Sequence, residues 1–198
     1  MNDAGRTSSV ELACRCGQVR GRANRIDPRE GLRLICYCRD CQAFANHLGR
    51  GADILDEAGG TDIYQLAPTK LEITQGMDQV ECLRLSDKGL YRWYAACCNT
   101  PIANTVSASV PFAGLVTVFV ADPSQLDDRL GPIRARVQVK SATGPLPEAP
   151  PHCQGTLRYM LRLGRKMLSW KFTGAGTPSP FFGSDGSPVH KARIVKPG

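Results

Sequence analysis

No apolar run in the chain approaches the roughly 20 residues needed to cross a bilayer, which excludes a helical membrane span and predicts a soluble protein with no membrane partner. The opening "MNDAGRTSSVELACRCG" lacks the apolar stretch of a signal peptide. A cytoplasmic, reducing environment is the expectation, and with it free thiols rather than disulfides. No self-similarity recurs at a period of about 20 to 50 residues, so a solenoid or propeller is excluded. Acidic residues are scarce at one end. From Arg129 onward there are 12 Lys/Arg and 2 Asp/Glu, so the net charge of +7 belongs to the last third. The plain reading is a solubilising surface. The sharper one is an anion-binding face for phosphate, nucleic acid or lipid headgroups. At 198 residues, 42% hydrophobic and 22% charged, the chain has the size and make-up of an ordinary globular domain.

What the sequence does have is cysteine, nine of them. "LICYCRDCQAF" places Cys36, Cys38 and Cys41 within six positions. Cysteines so close rarely reach bridging geometry. Clustered, reduced thiols point instead to metal or redox chemistry, and C-x-C-x-x-C is not the usual dithiol motif. Two more groups stand out: Cys14 and Cys16 as C-x-C, and the adjacent pair Cys97 and Cys98. Cys82 and Cys153 stand alone and read as small buried residues.

Between the thiols the pattern is mainly β. "VELACRCGQVRGRAN" alternates around a turn at Gly17, and "GLRLICYC" is a strand feeding the central cluster. "RDCQAFANHLG" predicts a short helix ending at Gly49. "TDIYQLAP", "KLEITQG", "VECLRLS", "GLYRWYAAC" and "GLVTVFVAD" read as short strands of antiparallel hairpins, and "PSQLDDRLG" as a short helix. Residues 1 to 9 read as a loose polar segment. Beyond residue 140 comes a Pro/Gly-rich connector, then the strongest helix, "TLRYMLRLGRKMLSWKF". Its stripe of Leu157, Leu161 and Leu168, with Met160 and Met167 beside it, predicts packing against the β-layers or a second subunit. Arg158, Arg162, Arg165 and Lys166 are then expected outward. The tail reads as an extended arm. The organisation expected is a β domain over 10–140 and a basic extension over 141–198 packed on it.

Zinc suits this thiol pattern, because thiolates from separate tight turns can close one tetrahedron. Seven clustered thiols are one short of two four-cysteine sites, and a three-thiolate site leaves a position for water or substrate. Cys14, Cys16, Cys97, Cys98, Cys36, Cys38 and Cys41 are the candidate ligands.

The order and surroundings of these residues resemble a family. "CRCGQV", then "CYCRDCQ", then "CCNTPI" is similar to the C-x-C-G-x-V, C-H-C-x-x-C-[RQ] and F-C-x-x-C-G-[ST]-P-[LI] motifs of the glutathione-dependent formaldehyde-activating enzymes. The match runs over about residues 10 to 125. The resemblance implies a β-tent of layered antiparallel sheets with zinc-binding cysteine turns. It implies a structural zinc on Cys14, Cys16, Cys98 and position 95, and a catalytic zinc on Cys36, Cys38 and Cys41. The activity implied is a carbon–sulfur lyase or synthase joining glutathione to formaldehyde or another small aldehyde. The sequence departs from the pattern at Ala95, where the family has a ligand, at Tyr37 for histidine, and at Asn99 for glycine. Cys97 is the candidate replacement for the ligand missing at Ala95. Arg39, Arg50 and Arg92 are candidates to receive glutathione carboxylates, and His47 is a further acid/base candidate with a surface role as the plainer reading. The competing class is a non-catalytic zinc module that binds a protein or nucleic acid, and a homo-oligomer is compatible with either.

Overall fold

The computed structural model describes residues 7–30, 32–148, 153 and 155–195. Two sheets carry the fold. The smaller is antiparallel and joins β1 (Ser8–Ala13), β2 (Arg20–Ile26) and β5 (Leu71–Gln75) in the order β1-β2-β5. β1 and β2 alternate buried and exposed residues, the signature of a sheet with one face on the core. β1 starts at Ser8, inside the segment expected to be loose, because Val10 and Leu12 have core to cover. Residues 1–6 lie outside the described residues.

The larger sheet holds β3 (Arg33–Cys36), β4 (Thr61–Leu66), β6 (Val80–Arg84), β7 (Tyr91–Ala95), β8 (Thr100–Thr105), β9 (Ala113–Val116), β10 (Ala135–Val137) and β11 (Arg193–Ile194). Its order is β10-β3-β4-β9-β8-β7-β6-β11. The six inner strands pair antiparallel. The two edge strands, β10 and β11, pair parallel with β3 and β6. The mainly-β layered arrangement with a C-terminal helix is therefore present, with both sheet edges covered by later chain.

β8 has no counterpart in the sequence reading. "TPIANT" contains Pro101, which cannot donate to a ladder and argues against a central strand. Pro101 sits opposite Tyr94 where the β7–β8 register shifts, so the missing N–H falls at an irregularity.

Helices α1 (Arg39–His47), α2 (Gly51–Ile54) and α3 (Leu126–Leu130) are short. The long helix α4 (Thr156–Phe172) spans the segment the periodicity predicts. Its orientation is not the predicted one. Tyr159, Leu163 and Trp170 are the buried residues, while Leu157 is 75% exposed, Leu161 63% and Leu168 56%. The reason is polar as well as apolar. Tyr159 Oη lies 2.7 Å from Gln65 Oε1 on β4 and 3.0 Å from the Leu32 carbonyl, so the aromatic row both fills the core and gives the buried Gln65 Oε1 its donor. Aliphatic leucines cannot do the second task. The arm after α4 then brings Phe181 and Phe182 onto Trp93, with ring centroids at 4.8 and 5.9 Å. One core cluster runs from Val10 to Phe182.

Candidate metal centre

Two hairpin turns from different sheets meet at the first thiol cluster. The β1–β2 turn supplies Cys14 and Cys16, and the β7–β8 turn supplies Cys97 and Cys98. Arg15 N donates to Thr100 Oγ1 at 3.1 Å, tying the turns together. Asn99 has φ +55°, the left-handed backbone that asparagine tolerates better than most residues. Asparagine is thus accommodated at this turn. The Sγ–Sγ distances are 3.6 Å for Cys14–Cys16, 3.8 Å for Cys14–Cys97, 3.3 Å for Cys16–Cys97 and 3.9 Å for Cys97–Cys98. A tetrahedron with metal–sulfur bonds of about 2.3 Å places its sulfurs about 3.8 Å apart. The donor set fits a metal. Cys97 therefore stands with the other three, and Ala95 is a fully buried core residue one step back on β7.

The local hydrogen bonds favour thiolates here. Val19 N donates to Cys14 Sγ at 3.2 Å, and Thr100 Oγ1 lies 3.1 Å from Cys98 Sγ. Burial works to raise the Cys98 pKa, but hydrogen bonds from Thr100 and from Cys16 outweigh it and hold the thiol at about 6. Burial pushes Cys14 up.

The second cluster forms where β3 runs into α1. Cys36 ends the strand, Cys38 is the residue before the helix, and Cys41 lies in its first turn. Cys38 Sγ accepts from Cys41 N at 3.4 Å, so the thiol caps the helix as a serine or aspartate would. All three Sγ atoms lie within 4.8 Å of one another. Hydrogen bonds from Cys36 and Cys41 hold Cys38 far below the usual thiol range, and Cys36, bonded to Cys38, is pushed up. No fourth His, Cys, Asp or Glu joins this group among the described residues. These donors also fit a metal, with one tetrahedral vertex left over.

Arg92, on β7, reaches this cluster. It is 1% exposed, and its Nη1 lies 3.9 Å from Cys41 Sγ and 3.4 Å from Asn104 Oδ1. Its Nη2 faces Asp40 at 3.5 Å, the guanidinium sits over the Phe44 ring at 5.4 Å, and its Nε has no partner. Three thiolates around a divalent metal leave a net charge of −1, and this guanidinium offsets it. Burial removes Arg92 from the candidates for a dissolved carboxylate. Arg50 is engaged as well, bonded to Asp53 and the Cys98 carbonyl. Arg39 stands exposed at the start of α1, and His47 is exposed at its end, outside both thiol groups.

Tyr37 is fully buried, and its hydroxyl donates to Asp56 at 3.0 Å. Burial first, then Asp56, pushes its pKa up to about 12, so it holds its proton. Asp56 in turn accepts from the backbone of Ala58 and Gly60. Gly60 is required there: a Cβ would lie 2.7 Å from Tyr37 Cε1. Thr100, Asn104 and Asp56 are supporting residues the sequence reading did not single out. A charged residue inside the otherwise apolar run "YRWYAA" was the available signal for Arg92.

Neither of two large surface clefts, about 700 and 650 Å³, is lined by a cysteine. No helix among the described residues is long and apolar enough to cross a membrane.

No curated protein matches the sequence. A crystal structure of a Rhodobacter sphaeroides protein from structural genomics is similar to it at 12% identity and a TM-score of 0.42, over 62% of this chain and 96% of that one. A family model spans nearly the whole chain, both thiol clusters and α4 included: it matches residues 6–193, and the protein belongs to the family of unknown function DUF6151.

Proposed function

We propose that this is a zinc protein with one closed, structural site on Cys14, Cys16, Cys97 and Cys98 and one open site on Cys36, Cys38 and Cys41. The observation that carries the reading is the contrast between four converging thiols in one cluster and three in the other. At the open site we infer that glutathione or a related thiol adds to formaldehyde or another small aldehyde. The substrate class rests on the resemblance over residues 10 to 125. Zinc would supply a lowered pKa for a thiol bound at the open vertex. The thiol sulfur forms a bond to the carbonyl carbon, the carbonyl π bond breaks, and the proton lost by the thiol ends on the new hydroxyl. Cys36, Cys38 and Cys41 would fix the position of the reacting sulfur. Arg92 would hold the charge of the cluster near zero. Arg39, exposed at the start of α1, would meet a carboxylate. Tyr37, locked on Asp56, would orient the turn rather than move protons.

The alternative is a zinc module without catalysis that binds a partner, and the absence of cysteine from both large clefts favours it. One experiment separates the two. Purified chain should contain about two zinc per molecule, Cys97→Ser about one, and the chain should accelerate exchange between glutathione, formaldehyde and their adduct in two-dimensional NMR. Loss of that acceleration in Cys38→Ser, with the closed site still metallated, is the expected result. Two zinc without acceleration would leave the non-catalytic module. No metal at all would end both readings.

A further inference from the structure

Two surface features of α4 are joined by one residue. The first is an apolar ridge. Leu157, Leu161, Leu168 and Phe172 recur at helical spacing on the side facing away from Tyr159, Leu163 and Trp170, and Phe172 is 83% exposed. Met160, 49% exposed, widens the ridge. The second is a cationic cleft of about 650 Å³ between α4 and the Pro28–Glu30 turn. Arg29, Arg158, Arg162, Arg165 and Lys166 line it with one carboxylate, Glu30, which is already met by Lys70 and Lys166. Leu161 is in both: it stands on the ridge and forms a wall of the cleft. Apolar side chains and a row of cations thus share one border along the helix.

We propose that α4 is a docking face for an anionic lipid surface, with the ridge entering the acyl boundary and the cleft cations taking headgroup phosphates. A helix with apolar residues on one side and Lys/Arg flanking them lies in the plane of such an interface. The sequence argument against a membrane partner excluded only a span, and a surface-lying helix needs none. Charge selects this occupant over a second copy of the chain. α4 carries Arg158, Arg162, Arg165, Lys166 and Lys171 and no acidic residue, so pairing two ridges would bring like charges together. Shape selects it too. The ridge is convex, roughly 25 Å long and one helix wide, well short of the ~800 Å² per partner of a standard protein interface.

The test is sedimentation of the full chain with phosphatidylcholine vesicles, with and without phosphatidylglycerol, at low and high salt. Binding should appear with the anionic vesicles, fall with salt, and be at least about tenfold weaker on the neutral ones. Leu161→Asp with Leu168→Asp should cut binding about tenfold or more with an unchanged melting temperature. Arg158→Glu with Arg165→Glu should do the same through the charge term. Equal binding to neutral vesicles, or none to anionic ones, overturns the proposal. So does a dimer that the leucine pair converts to monomer. A duplex bound in a manner that depends on the arginines and ignores the leucines would assign the cleft to nucleic acid instead.

Discussion

The Arg92 guanidinium is 1% exposed, shares its charge with Asp40 at 3.5 Å, and turns Nη1 to Cys41 Sγ, so a negative thiol cluster would add to what holds it in place. Arg92 therefore reports on the charge of the Cys36/Cys38/Cys41 site. Arg92→Met keeps most of the volume and removes the cation. The expected outcome is metal binding at this site weakened by about ten- to a hundredfold, with the Cys14/Cys16/Cys97/Cys98 site unaffected. Competition with a chromophoric chelator would resolve the two sites. Equal weakening at both would mean that the substitution acts through global stability. The two groups of converging thiols were legible, because thiol spacing survives without knowledge of the fold. What was not legible was the fate of position 95. Adjacent cysteines seldom serve one metal from an extended strand, but Cys97 and Cys98 lie in a turn that Asn99 bends at φ +55°. The role of Arg92 was misread for a related reason: nearness in sequence to a cluster says nothing of burial.

α4 shows the same limit in an element. Its span follows from periodicity and the Pro/Gly-rich connector before it. Its buried face does not, because the segment carries two apolar rows. One is aliphatic and one is aromatic, and only the aromatic row brings a hydroxyl to Gln65 and the Leu32 carbonyl. A paired substitution checks this. Tyr159→Phe leaves the buried Gln65 Oε1 without its donor, while the Leu32 carbonyl keeps its bond from Gln65 N, and should cost about 1–2 kcal/mol. Leu168→Asp, on the outer row, should change stability by no more than about 0.5 kcal/mol. Urea denaturation of the two variants would reverse in order if the leucines were the packed face. β8 was lost to the reading for a local reason as well. Pro101 signals a strand break, and only the pairing partner reveals that its missing N–H falls at a register shift.

The molecule as a whole should be more sensitive to base than its composition suggests. Tyr64 and Tyr159 are fully buried, and burial, the largest cause for each, pushes both hydroxyls well above the usual range. Tyr37 follows, at about 12. A raised acidic pKa means that the folded state keeps its proton while the unfolded chain loses it. The stabilisation is complete below the unfolded value of about 10 and falls as pH rises above it. The slope expected is about 1.4 kcal/mol per pH unit for each of the two deeply buried tyrosines. Thermal melts between pH 9 and 12 should show an accelerating loss, and Tyr64→Phe should show a shallower one, because Tyr159 still titrates.

The two parallel strands at the sheet margins set an order of events during synthesis. A ribosome releases β3 through β9 first, and these strands can pair among themselves as soon as they emerge. The margin at β3 then stays bare until β10 has been made, and the margin at β6 until Arg193 and Ile194 arrive. An open margin is a template for a neighbouring polypeptide. A nascent chain stalled between α4 and β11 is accordingly the form that polysome crowding would drive into intermolecular pairing, through the backbone of Leu83 and Arg84 that β11 later occupies.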